Sequence, residues 1–420
     1  MTDASDPFTR LHDTCAASGP DAMLDSLADS LRARGRWHAL VDVRLLQARL
    51  ALGLGPTADP GGLAAADRDR FDDLSLAACR EAGWPLLDAG EVAAAWMYLR
   101  AAATPAAVAE RLAPLAAAAL AADADDPDLQ RRLDEIVGVS LWEGVDPALG
   151  IDVIFQAQGI CPAITAFDQA VARLPAARQA PAAARLVAHI HAEVLANVAA
   201  DVAARGLAAI PSPTSLVALI DAAGGLADSS IHCDVSHLHA VLRIARVCVD
   251  PATLTQAWEL ARYACRLPQD VAYPGAAPFG DAGEASRLFY GAQLGRDVPE
   301  AVDYFTTAAA DAARDGAGPL PAETLALVLW RIGRPAEALR VALDRPAGDG
   351  LPRESLPPGT LPSLVELAAA AGDFEPLRAA CREAGDEITF AATLVAEAHQ
   401  SRGQPLRGAH AAHPPQAPVR

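Results

Sequence analysis

Apolar residues recur at spacings of three and four along almost the whole chain, and nowhere do they alternate with polar ones over the length of a strand. In 183–206, Leu186, Val187, Ile190, Val194, Leu195, Val198 and Val202 keep this rhythm, and Gly206 stands where a left-handed C-terminal cap belongs. The pattern predicts an amphipathic helix of about six turns. Similar runs predict helices over 21–34, 37–52, 65–82, 92–102, 107–122, 129–142, 235–249, 254–267, 299–314, 322–331, 361–371 and 388–402. Aromatic residues make up only 5% of the chain, fewer than extended sheets normally use. The expected fold class is all-α.

The 420 residues carry 34 basic and 53 acidic side chains, a formal net charge of −19. That balance excludes a nucleic-acid binder that works by bulk charge. No lysine occurs, so Schiff-base chemistry and lysine-dependent phosphate loops are excluded as well. The acidic N-terminal stretch lacks the order of a signal peptide, and apolar runs such as 113–122 fall short of a membrane span. A cytoplasmic protein without membrane contact is expected. The seven cysteines are odd in number, widely spaced and never in a CxxC pair, which suits small packing residues better than a disulfide framework.

A helix-turn-helix phrase recurs around Gly35, Gly90, Gly295, Gly333 and Gly372. A helix ends near the glycine, a few small or polar residues turn the chain, and a second helix begins. Five residues after the glycine stand Leu40, Ala95, Ala338 and Leu377, while Ala301 comes one residue late after Gly295. The phrase resembles tetratricopeptide repeats, best over 295–384 and more weakly over 35–99. The resemblance implies stacked antiparallel helical hairpins forming an α-solenoid, a superhelical repeat array, with the small residue at the close helix crossing. The expected organisation is N-terminal hairpins over 1–125, a middle helical region with a His-rich segment over 126–269, tetratricopeptide-like hairpins over 270–403 and a disordered tail over 404–420. The Pro- and Gly-rich stretches 267–284 and 345–362 read as loops that are functional or packed over the body.

Such an array binds through its surface and needs no reactive group, so the expected function is a non-catalytic protein–protein interaction module for a peptide or partner protein. A basic partner is favoured if the acidic residues gather on the binding face.

One polar constellation supports an alternative. Residues 229–239, SSIHCDVSHLH, bring His232, Asp234 and His237 into six positions. Asp234 is placed to cap the following helix, with His237 one turn later and His232 in the loop before it. Neutral imidazole and carboxylate suit zinc, iron or manganese, which would make the chain a metal-dependent enzyme or metal-binding protein with an all-α body. His189 or His191 supplies a further candidate ligand, but two residues apart they cannot face one point. Each of these residues is also explained singly, as a cap or a hydrogen-bonded packing residue. Gly53-Leu54-Gly55 begins like a dinucleotide fingerprint but follows a helix and precedes Pro56.

Overall fold

The computed structural model describes residues 6–123, 126–206, 215–225, 231–268, 271, 275–344 and 356–402. These form nineteen α-helices and, among the described residues, no strand. The chain is therefore all-α. It divides into two compact units, Met1–Ala157 and Gln158–Arg420. The expected tail and most of the 345–362 loop lie outside the described residues.

The first unit contains α1 (Pro7–Ala33), α2 (Trp37–Ala51), α3 (Ala65–Asp88), α4 (Val92–Ala102), α5 (Pro105–Leu120), α6 (Leu129–Val137) and α7, which begins at Pro147. Helix α1 runs longer than its periodicity suggests because it spans a kink at Gly19 and Pro20. Successive helices α1 to α4 pack on one another, and α3 touches α5 while α4 touches α6. Leu40, Leu87, Leu99 and Leu112 are each no more than 1% exposed. Glu81 on α3 receives both Arg32 of α1 and Arg44 of α2, the latter at 2.7 Å, and so ties three helices together.

The second unit contains α8 (Ile160–Ala166), α9 (Ala176–Ala204), α10 (Leu216–Ala222), α11 (Val235–Ile244) and α12 (Pro251–Ala264). It continues with α13 (Ala282–Gln293), α14 (Val298–Asp315), α15 (Leu320–Arg331), α16 (Pro335–Leu343), α17 (Leu364–Ala371), α18 (Glu375–Ala384) and α19 (Glu387–Ser401). Several helices start where an acidic or hydroxyl side chain takes the first free N–H groups and proline follows at once, as at Asp250-Pro251. Helix α9 is the one described helix long and apolar enough to cross a membrane. It is packed by α8, α10, α11 and α12, and buries Leu186, Val187, Ile190, Val194 and Val198, as a core helix of that length does.

All five phrase glycines are left-handed, with φ between 65° and 82°. At each, the glycine N–H donates to the carbonyl three residues back, and the next N–H donates to the carbonyl four residues before the glycine, at 2.8–3.2 Å. This is the Schellman closure, which satisfies two orphan carbonyls and reverses the chain. The crossing residues Leu40, Ala95, Ala301 and Ala338 are wholly buried, and Leu377 is 1% exposed. Leucine is thus accommodated at two crossings where the resemblance implies a small residue. Asp297, left-handed at φ 49°, is the extra turn residue that delays Ala301 by one position. Gly53 makes the same closure, so the fragment that begins like a nucleotide loop is a helix cap.

Beyond the consecutive pairs, α13 touches α15, α16 touches α18 and α17 touches α19. Helix α15 is enclosed: Glu323 through Leu329 are all buried, and the backbone N–H of Leu356 donates to the Glu323 carboxylate at 3.0 Å. The stretch 275–282 packs inward through Phe279, 2% exposed against Phe289 and Phe305.

Candidate functional site

Asp234 stands at the N-cap of α11 and accepts the backbone N–H groups of Ser236 at 2.8 Å and His237 at 3.3 Å. The Ser236 hydroxyl, 2.5 Å away, and these N–H groups hold its carboxyl below the usual carboxylate range. His237 sits in the first turn of α11. His232 has other partners. Its Nε2 is 3.3 Å from Asp201 on α9 and its Nδ1 is 3.2 Å from the Tyr263 hydroxyl on α12. Tyr263 also accepts the His232 backbone N–H at 2.8 Å, and Asn197 donates to the His232 carbonyl at 2.8 Å. His191, on another face of α9, donates to Glu259 on α12 at 2.7 Å.

The structure therefore distributes the candidate ligands. Asp234 serves its own helix, His232 pairs with Asp201, and His191 pairs with Glu259. Among the described residues, no group of three or more His, Cys, Asp or Glu side chains is placed to hold a metal ion. The donor sets are pairs, whereas zinc takes three or four protein ligands.

A polar ladder explains why His232 is held where it is. His189, Glu193, Asn197, Asp201 and Arg205 recur every four residues along α9 and so share one face. Arg205 holds the Asp201 carboxyl below its usual range, and Asp201 then accepts from the His232 ring. With Nε2 donating, Nδ1 is free to accept the Tyr263 hydroxyl proton. The order carboxylate, imidazole, hydroxyl is that of a nucleophile relay, but this hydroxyl belongs to a tyrosine with no solvent exposure that already accepts a backbone N–H. Burial raises its pKa further. The cluster is a clamp on the segment entering α11.

Glu259, 5% exposed, is a second clamp. It takes His191, the Ser215 hydroxyl and the Leu216 N–H at 3.0 Å, joining α9, α10 and α12. Burial pushes its carboxyl up, and these hydrogen bonds together outweigh it and leave the pKa below its ordinary 4.5.

An open cleft lies along α11, where Ser236, His239, Arg243 and Arg246 follow one another at spacings of three and four. Facing them are Ala276, Phe279 and Leu320, around a cavity of about 270 Å³. A second hollow of about 370 Å³ continues past Ala276 and Leu320 to Ala317 and Pro321. The Arg246 guanidinium lies 3.3 Å from the Phe279 ring centre. Arg243 donates through Nη2 to both oxygens of Asp168, at 3.0 and 2.9 Å. Burial lowers the His239 pKa against the opposing charge of Asp281. Sequence reasoning missed this cleft. Its polar side reads as a solvated helix face, and its opposite wall comes from residues some 40 and 80 positions downstream.

Thiol chemistry has little support. Burial pushes Cys233 and Cys248 up to about 12, and Cys79 and Cys381 also upward, so all four are thiols rather than thiolates at neutral pH. Comparison with family models, with curated proteins and with solved structures finds no match to this chain.

Proposed function

We propose that this chain is a non-catalytic interaction module, a solenoid-like stack of helical hairpins that receives a helix of a protein partner against α19. The observation that carries the reading is the outer face of α19. Ile388 is 84% exposed, Val395 55% and Leu394 48%, with exposed Ala391 between them. Ile388, Ala391 and Val395 follow the helical repeat, so they form one apolar stripe. The opposite face, with Thr393 and Ala396, is buried against α17 and α18. A stacked hairpin normally covers such a stripe with the next helix.

Charge indicates the kind of helix that fits. Glu387 lies exposed beside the stripe, in a chain of net charge −19, while Glu397 is already paired with Arg378 at 2.6 Å. An amphipathic helix with an apolar face and arginine or lysine at its edges complements both features. The test is fluorescence anisotropy of a labelled basic amphipathic peptide of about 18 residues. The reading expects saturable binding that weakens with salt and falls at least tenfold with Ile388→Glu and Val395→Glu together. Absence of binding, or binding indifferent to those substitutions, would overturn it. Self-association abolished by the same pair would identify a second copy as the occupant and overturn the choice of a basic partner.

A further inference from the structure

The chain leaves α19 through Arg402, whose N–H closes the helix on the His399 carbonyl at 3.2 Å. From Arg402 to Arg420 the sequence holds three arginines, two histidines and no Asp or Glu, in a chain where acidic residues outnumber basic ones by 53 to 34. Residues 403–420 lie outside the described residues. The opposite charge gathers at the far end of the stripe. Glu383 in the last turn of α18, Asp386 at the N-cap of α19 and Glu387 in its first turn are all exposed. The neighbouring Arg382 is taken by Glu375 at 2.6 Å, so this end keeps an excess of negative charge. Ile388, Ala391 and Val395 run between the acidic end and the point where the basic segment begins.

From this arrangement we infer that residues 403–420 fold back along α19 and occupy the apolar stripe in place of a partner, holding the surface partly closed. The inference rests on the reading of α19 as a partner surface and supplies the regulation of that surface. Its reach is sufficient. Helix α19 has 15 residues, which puts Glu387 about 21 Å from the level of Ser401. An extended chain covers roughly 3.3 Å per residue, so about seven residues past Arg402 span that length. Leu406 then comes level with Ala391 and Val395, and the residues from 409 onward, with His410, His413 and Arg420, reach the acidic end. Pro405, Pro414, Pro415 and Pro418 favour extended backbone, which lowers the cost of ordering such a segment. One leucine contributes little area, but a short tether gives an effective concentration on the order of millimolar, at which weak contacts suffice. Occupancy is partial, and a free helix with a complete apolar face displaces the segment.

Three chains test it: the intact one, one ending at Arg402, and one of full length carrying Leu406→Ser and Arg407→Glu. Without any peptide, hydrogen exchange across 388–395 should be faster in both altered chains than in the intact one. Both should also bind the labelled basic amphipathic peptide at least threefold tighter. Equal exchange in all three chains, or a change in the shortened chain that the full-length variant does not share, would overturn the fold-back. Equal peptide affinity in all three would do the same while leaving α19 as a partner surface. Peptide binding by none of them, the shortened chain included, would overturn the partner reading instead, and faster exchange in both altered chains would still support the fold-back.

Discussion

Gly333 turns the chain at φ 79°, and Ala338, five residues later, is completely buried where α16 begins to cross α15. The left-handed residue and the buried one are a single device. The glycine closes α15 through two carbonyls, and the reversal delivers the first turn of α16 back onto the helix it has left. The same pairing links Gly372 to Leu377, Gly90 to Ala95 and Gly35 to Leu40.

A side chain at Gly333 or Gly372 must adopt a conformation that costs roughly 1–2 kcal/mol for an ordinary residue. Gly333→Val and Gly372→Val should each lower stability in urea by about 1 kcal/mol or more, with asparagine costing less. Two unchanged midpoints would show that the turn does not depend on φ.

Asp234 caps α11 by accepting the N–H groups of Ser236 and His237. Asp234→Ala should destabilise by ~0.5–2 kcal/mol, while Asp234→Ser keeps most of the cap. Added zinc, iron or manganese should give the wild type and the alanine variant the same thermal shift. A metal-dependent stabilisation that vanishes with Asp234→Ala would support the metal reading of His232, Asp234 and His237.

The Tyr263 hydroxyl serves three purposes at once: it accepts the His232 N–H, meets the His232 ring and lies fully buried. Tyr263→Phe leaves that N–H unsatisfied and should cost about 1–3 kcal/mol. Amide exchange at His232 should accelerate in the variant. Unchanged exchange there would contradict the clamp.

These cases also mark where the sequence was legible. The helices over 183–206, 235–249 and 388–402 and the five glycine turns were readable because spacing and turn chemistry are local. Asp234 was readable as a cap for the same reason. The partners of His232 were not, since Asp201 and Tyr263 lie 31 residues away on either side and meet it only after α9 and α12 pack. Helices α7 and α8 escaped notice because their short apolar runs lack a two-faced pattern. The buried Glu323 of α15 meets the Leu356 N–H 33 residues downstream, which local periodicity does not register.

Acid should expose the second clamp. The Glu259 carboxyl is held below its ordinary value of 4.5, so its contribution to stability is fully present above that pH and disappears as pH falls through the depressed value. Urea midpoints measured from pH 6 down to pH 3 should fall less steeply for Glu259→Gln than for the wild type. At neutral pH, Glu259→Ala should cost about 3 kcal/mol or more by leaving His191 and Leu216 without their acceptor. Parallel acid profiles would mean that Glu259 titrates alike in the folded and unfolded chain.

The exposed stripe of α19 is the proposed partner surface. Hydrogen–deuterium exchange of the intact chain, with and without a saturating basic amphipathic helical peptide, reads that surface residue by residue. Exchange should slow across 387–401, spreading to α18, with no such slowing in the chain carrying Ile388→Glu and Val395→Glu. Unchanged exchange in α19 at saturation, or protection confined to other helices, would contradict it.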